Sequence, residues 1–79
     1  GYRDIVELLL KNGADVNQAG KDGVSPLIIA IENGDKEMVA LLLQNKRIDV
    51  NKTREDGASP LIIAVLNDHI EIVKLLLEN

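Results

Sequence analysis

One imidazole, two serines and one acidic pair are the residues of this 79-residue chain whose types could do chemistry. His69 is the only histidine. A general base needs an orienting partner within hydrogen-bond reach, and the sequence offers none for it, so His69 reads as a solvent-exposed residue that begins a helix. Ser25 and Ser59 each stand directly before a proline. That is the place of a helix cap, whose hydroxyl accepts from free N–H groups, and it accounts for both without a nucleophile. Glu55-Asp56 suggests a cation site. A calcium loop needs alternate oxygen donors, and Lys52, Thr53 and Arg54 interrupt that pattern, so the pair reads as a solvated turn. Lys46-Arg47 and Lys52–Arg54 make a small basic patch, but Asp49, Glu55 and Asp56 flank it, which argues against nucleic acid. No Gly-rich phosphate loop follows a strand. No catalytic, cofactor-binding or metal-ligating residue is assigned, and an enzyme is not expected.

The bulk properties narrow the classes further. The net charge of −4 opposes binding to phosphate backbones, and Tyr2, the sole aromatic, cannot build a base-stacking platform. There is no cysteine, which removes disulfide and thiolate chemistry and suits a reducing compartment. The longest apolar run, Leu61–Leu66, is far too short to span a bilayer, and no signal peptide is visible. An intracellular, cytoplasmic location is expected, with the nucleus as a second option. A chain this short buries only about 60% of its unfolded surface in a compact fold, and its core must be Leu, Ile, Val and Ala.

The elements that position these residues come in copies. Asp22-Gly-Val-Ser-Pro-Leu-Ile-Ile-Ala30 returns as Asp56-Gly-Ala-Ser-Pro-Leu-Ile-Ile-Ala64, and 15 of the 24 positions from Asp22 to Asn45 are identical in Asp56 to Asn79. Asp-Gly reads as a turn and Ser-Pro as a helix start. Leu-Ile-Ile-Ala is apolar on nearly every side, so the helix must be sandwiched between neighbours. A single unit cannot bury it, and stacking of copies does.

Read in order, Gly1–Asn12 forms a helix with the stripe Ile5, Val6, Leu8, Leu9 and Leu10, ended by Asn12-Gly13. Ala14–Lys21 is an extended loop or short hairpin. Ser25–Asn33 is a first helix, and Asp35 caps a second one, Lys36–Asn45. Lys46–Glu55 is another long polar connection. Ser59–Asn67 and His69–Glu78 repeat the helix pair, with Asp68 and Glu71 spaced like a capping box. The triplets Leu8–Leu10, Leu41–Leu43 and Leu75–Leu77 mark the second helix three times, so the chain holds two helix pairs and one orphan second helix.

These stretches resemble the ankyrin repeat, a β-turn followed by two antiparallel helices over about 33 residues. The matching segments are Gly1–Asn17, Asp22–Asn51 and Asp56–Asn79. The resemblance implies an all-α solenoid of helix-turn-helix pairs linked by β-hairpin loops. One domain, 1–79, divides into a partial repeat (1–21), a full repeat (22–55) and a repeat that stops after its second helix (56–79). Departures are few. The family's Thr-Pro-Leu-His is Ser25-Pro26-Leu27-Ile28 and Ser59-Pro60-Leu61-Ile62, so apolar packing replaces a local hydrogen-bond network. Gly13-Ala14 keeps the usual Gly-Ala, but Lys46-Arg47-Ile48 is one residue longer and should distort that connection. The inter-helix glycine is kept at Gly34 and becomes Asp68, where strain is expected.

Family resemblance implies a protein-binding module that holds partners with hairpin tips and the inner face of the first helices. Carried onto this sequence, the tips are Ala19, Lys21, Asp22 and Val24, then Thr53, Glu55, Asp56 and Ala58. The helix positions are Glu32 and Asn33, then Leu66 and Asn67. The copies agree in the core and differ at Val24/Ala58, Glu32/Leu66 and Lys21/Glu55, as positions without a packing duty are free to do. Leu66 stands out as an apolar residue at a polar surface position, a contact anchor or a scattered surface leucine. The second reading is a structural spacer within a longer array. Terminal repeats normally carry a polar outer face, and neither end does here, which points to a longer array or to end-to-end self-association. Asn17 and Asn51 lie in an Asp-Val-Asn motif that is hydroxylated in some members; the simpler expectation is that they bond hairpin backbone.

Overall fold

The structure, a computed structural model, describes residues 2–79. Five helices follow one another: α1 (Tyr2–Lys11), α2 (Pro26–Glu32), α3 (Lys36–Leu43), α4 (Pro60–Leu66) and α5 (Ile70–Leu77). No strand occurs among the described residues. Helix α2 packs on α3 and α4, and α5 packs on α3 and α4. The first helices therefore form one layer and the second helices another. Each helix lies within a turn or less of its expected span; Gly1 lies outside the described residues.

The starts follow from the Ser-Pro pairs. Ser25 Oγ accepts from Ile28 N at 3.4 Å, and Ser59 Oγ accepts from Ile62 N at 3.2 Å. Proline occupies the first helical position in both, where no N–H is needed. Asp35 caps α3 through a bond from Met38 N at 3.2 Å. The exits of α1, α2 and α4 share one motif, in which two successive N–H groups reach back over the last turn. For α2 these are Gly34 N to Ile31 O at 3.0 Å and Asp35 N to Ala30 O at 2.9 Å. For α4 they are Asp68 N to Val65 O at 3.1 Å and His69 N to Ala64 O at 3.0 Å. The motif needs a left-handed residue, Gly34 in one copy and Asp68, at φ 57°, in the other. Asp68 is the one non-glycine with positive φ among the described residues, as its replacement of the family's glycine predicted.

That conformation corrects two expectations. The Asp68–Glu71 capping box does not form. Asp68 is consumed by the exit of α4, the N-cap falls on His69, and His69 makes no side-chain cap bond. His69 is also half-buried rather than solvent-exposed. Its ring lies against Gly34, where an added Cβ would stand 3.0 Å from the imidazole Cε1. The longer connection after α3 uses no left-handed exit: Asn45 Oδ1 accepts from Arg47 N at 2.9 Å and Ile48 N bonds Asn45 O at 3.1 Å, so the extra residue is absorbed in one turn.

The core is aliphatic and centred on the middle helix pair: Leu27, Ile28, Ala30 and Ile31 of α2 with Met38, Val39, Leu42 and Leu43 of α3. Position in the stack, not residue type, decides burial. Ile28 is fully buried, while Ile62, its counterpart in α4, is 50% exposed. Leu42 is fully buried, while Leu9, its counterpart in α1, is 53% exposed. Full burial of such a side chain stabilises by roughly 1.5–3 kcal/mol, so the middle pair gains most from its two neighbours.

Candidate functional site

The polar connections fold back on themselves into two tips. In the first, Gly20 N bonds Val24 O at 3.2 Å and Gly23 N bonds Gly20 O at 3.1 Å. In the second, Arg54 N bonds Ala58 O and Gly57 N bonds Arg54 O, both at 2.9 Å. An aspartate closes each tip, with Asp22 Oδ1 accepting from Val24 N at 3.3 Å and Asp56 Oδ1 from Ala58 N at 3.1 Å. The tips are joined by one bond, Glu55 N to Asp22 O at 2.8 Å. This is hairpin hydrogen bonding without a formed ladder.

Arg54 ties the second tip to α2. Its Nη1 donates to Glu32 Oε2 of α2 at 2.8 Å. Its Nε and Nη2 donate to the two oxygens of Asp56 at 3.3 and 3.0 Å. A guanidinium held by two carboxylates in fork geometry is a strong, directional link. The N–H of Ala58 and then the Arg54 guanidinium hold the Asp56 carboxyl below its ordinary value. Asp56 and then Glu32 keep Arg54 more firmly protonated. Between the tips and α2 lies an open cleft of about 640 Å³, lined by Asp22, Val24, Glu32, Arg54, Glu55 and Asp56.

The twelve positions carried over from the resemblance are distributed as follows. Asp22, Val24, Glu32, Glu55 and Asp56 line this cleft together. Lys21 and Thr53 are exposed on the tips, and Ala19, Val24 and Ala58 are half-buried beneath them. Asn33 and Asn67 are exposed at the ends of α2 and α4, where they are C-caps. Leu66 is 74% exposed and holds in α4 the place that Glu32 holds in α2. Sequence reasoning missed Arg54, because it counted the residue as part of a charge run. The available signal was that Arg54 replaces Gly20 of the preceding tip while Glu32 stands on the helix it would reach.

Asn17 serves a different contact. Its Nδ2 donates to Arg47 O and its Oδ1 accepts from Asp49 N, both at 2.8 Å. The amide thus bonds the backbone of the next connection, thirty residues on, rather than its own hairpin. A further inter-unit tie is Arg3 to Asp35, with Arg3 Nε donating to Asp35 Oδ2 at 2.8 Å and Arg3 Nη2 to Asp35 Oδ1.

The charged groups along this cleft hold one another in fixed places. Among the described residues no helix is long and apolar enough to cross a membrane. The family model for ankyrin repeats (3 copies) matches residues 1–79. Comparison with curated proteins gives no match.

Proposed function

We propose, from the premise that this chain belongs to the ankyrin-repeat family, that it binds a partner protein through its two hairpin tips and the inner face of α2 and α4. Ankyrin repeats are in general protein–protein interaction modules. The observation that carries the finer reading is the joint cleft: residues from two tips and one first helix line a single concavity, and Arg54 locks them in one arrangement. A surface ordered before it meets its partner loses less conformational entropy on association. The exposed Leu66 holds in α4 the position of Glu32 in α2 and offers an apolar contact one unit along.

The test is affinity capture from native lysate with two baits, the natural chain and the variant Lys21→Glu, Glu55→Lys, Leu66→Glu. All three positions are exposed, so both baits should give the same helical circular dichroism spectrum. A protein held by the natural chain and lost by the variant is the expected result. Equal capture by both moves binding off this face.

A further inference from the structure

The cleft between the tips and α2 has a defined charge balance. Four carboxylates, Asp22, Glu32, Glu55 and Asp56, line it against one guanidinium, Arg54. Arg54 is already committed, to Glu32 at 2.8 Å and to Asp56 at 3.0 Å. It is also only 27% exposed, so it is poorly placed to receive an anion from outside. Asp22 and Glu55 have no ion pair among the described residues. The backbone bond from Glu55 N to Asp22 O holds the two residues side by side on the cleft wall. Val24, half-buried, supplies an apolar patch in the same wall.

Two carboxylates on one wall without a cation of their own make that wall negative, and it attracts an incoming cation. An incoming carboxylate meets two carboxylates that have no ion pair among the described residues, and a guanidinium that would have to give up existing partners. Like-charge juxtaposition of this kind excludes wrong partners. We infer that the cleft takes a segment of the partner protein that presents a lysine or arginine side chain between Asp22 and Glu55, with an apolar neighbour against Val24. The inference rests on the protein-binding reading above and adds the chemistry of the partner to it. It also assigns Arg54 a role: by occupying Glu32 and Asp56 it confines the free negative charge to the Asp22–Glu55 wall.

The experiment is selection from a display library of random twelve-residue peptides on the immobilised 79-residue chain, followed by affinity measurement of the winners. Three targets are compared: the natural chain, Asp22→Asn with Glu55→Gln, and Leu66→Glu. Both Asp22 and Glu55 are exposed, and the amide replacements keep shape while removing charge. Selected peptides should be enriched in Lys and Arg, should bind the amide variant about tenfold more weakly, and should weaken as salt rises. Acidic or uncharged winners that bind the amide variant equally overturn the cationic-partner inference; if Leu66→Glu still releases them, protein binding on this face stands. Winners indifferent to both variants, or no winners at all, overturn both.

Discussion

Arg54 Nη1 and Glu32 Oε2 meet at 2.8 Å across 22 residues of chain, and through them the second hairpin tip is fixed to α2. The same guanidinium grips Asp56 with two nitrogens, so one side chain sets the shape of the cleft. The Glu55-to-Asp22 bond adds the backbone counterpart of this link. This face is therefore held by contacts between its two tips and between the second tip and α2, and its geometry and the stability of the fold are coupled.

Arg54→Gln should weaken the fold only slightly, because the pairs are partly exposed and screened. The loss should shrink in 1 M NaCl, where the Debye length is about 3 Å. Its pH dependence has a definite sign. The folded-state value of Asp56 is depressed, so its contribution is complete above the ordinary carboxylate range and fades as pH falls through and below it. Melting curves of both proteins at neutral and strongly acid pH should converge at the acid end. A gap that persists there would assign the effect to packing.

Asp35→Ala should cost more. Asp35 caps α3 through Met38 N and also receives Arg3 of α1, and its side chain is only 8% exposed. Loss of a cap alone costs about 0.5–2 kcal/mol. In a domain of this size each kcal/mol lowers the midpoint by about 4–8 °C. Arg3→Met, which keeps the cap, should cost less than Asp35→Ala in thermal denaturation. Equal losses would mean the cap contributes nothing.

His69→Asp should stabilise the last helix pair. His69 and Asp35 hold the same N-cap backbone, at φ −92° and ψ 79° against φ −88° and ψ 85°. Asp35 uses that geometry to accept from the N–H three residues on, and an aspartate at 69 would accept from Ile72 N in the same way. The negative charge also suits the positive end of the α5 dipole. A gain of about 1 kcal/mol is expected, read as a raised midpoint. An unchanged or lowered midpoint would show that the imidazole contact with Gly34 is worth more than a cap.

Most of the fold was legible because repetition and Ser-Pro starts report directly on local backbone. The Leu triplets located α1, α3 and α5, and Ser25 and Ser59 located α2 and α4. What escaped was set by one residue's backbone conformation and by contacts between segments far apart in sequence. The register of the α5 cap depended on Asp68 taking the left-handed exit of α4, which moved the N-cap to His69. Arg54 looked like part of a basic run until Glu32, far away in sequence, was brought beside it. The partner of Asn17 lies in the next connection for the same reason. Residues that act within one helix turn are readable from spacing; residues that act across the stack are readable only once the stack exists.

The two tip glycines give the sharpest test of that coupling. Gly23 and Gly57 occupy equivalent tips with nearly the same backbone, φ 79° and φ 86°. A change to alanine pays the left-handed penalty at both, about 1–2 kcal/mol. Their surroundings differ. A Cβ at Gly57 meets nothing within 4 Å, whereas a Cβ at Gly23 would stand 2.8 Å from Glu55 N and 3.1 Å from the Arg54 carbonyl carbon. Both are backbone atoms, so no side-chain rotation relieves the contact. The tips would have to separate, stretching the Glu55 N to Asp22 O bond and pulling Arg54 away from Glu32. Gly23→Ala should therefore lower the melting midpoint clearly more than Gly57→Ala. In hydrogen exchange it should also speed the Glu55 amide selectively, while Gly57→Ala leaves that amide protected. Equal midpoints and equal Glu55 protection in the two variants would mean that the tips are not held together in solution, and with them the cleft would lose its fixed shape.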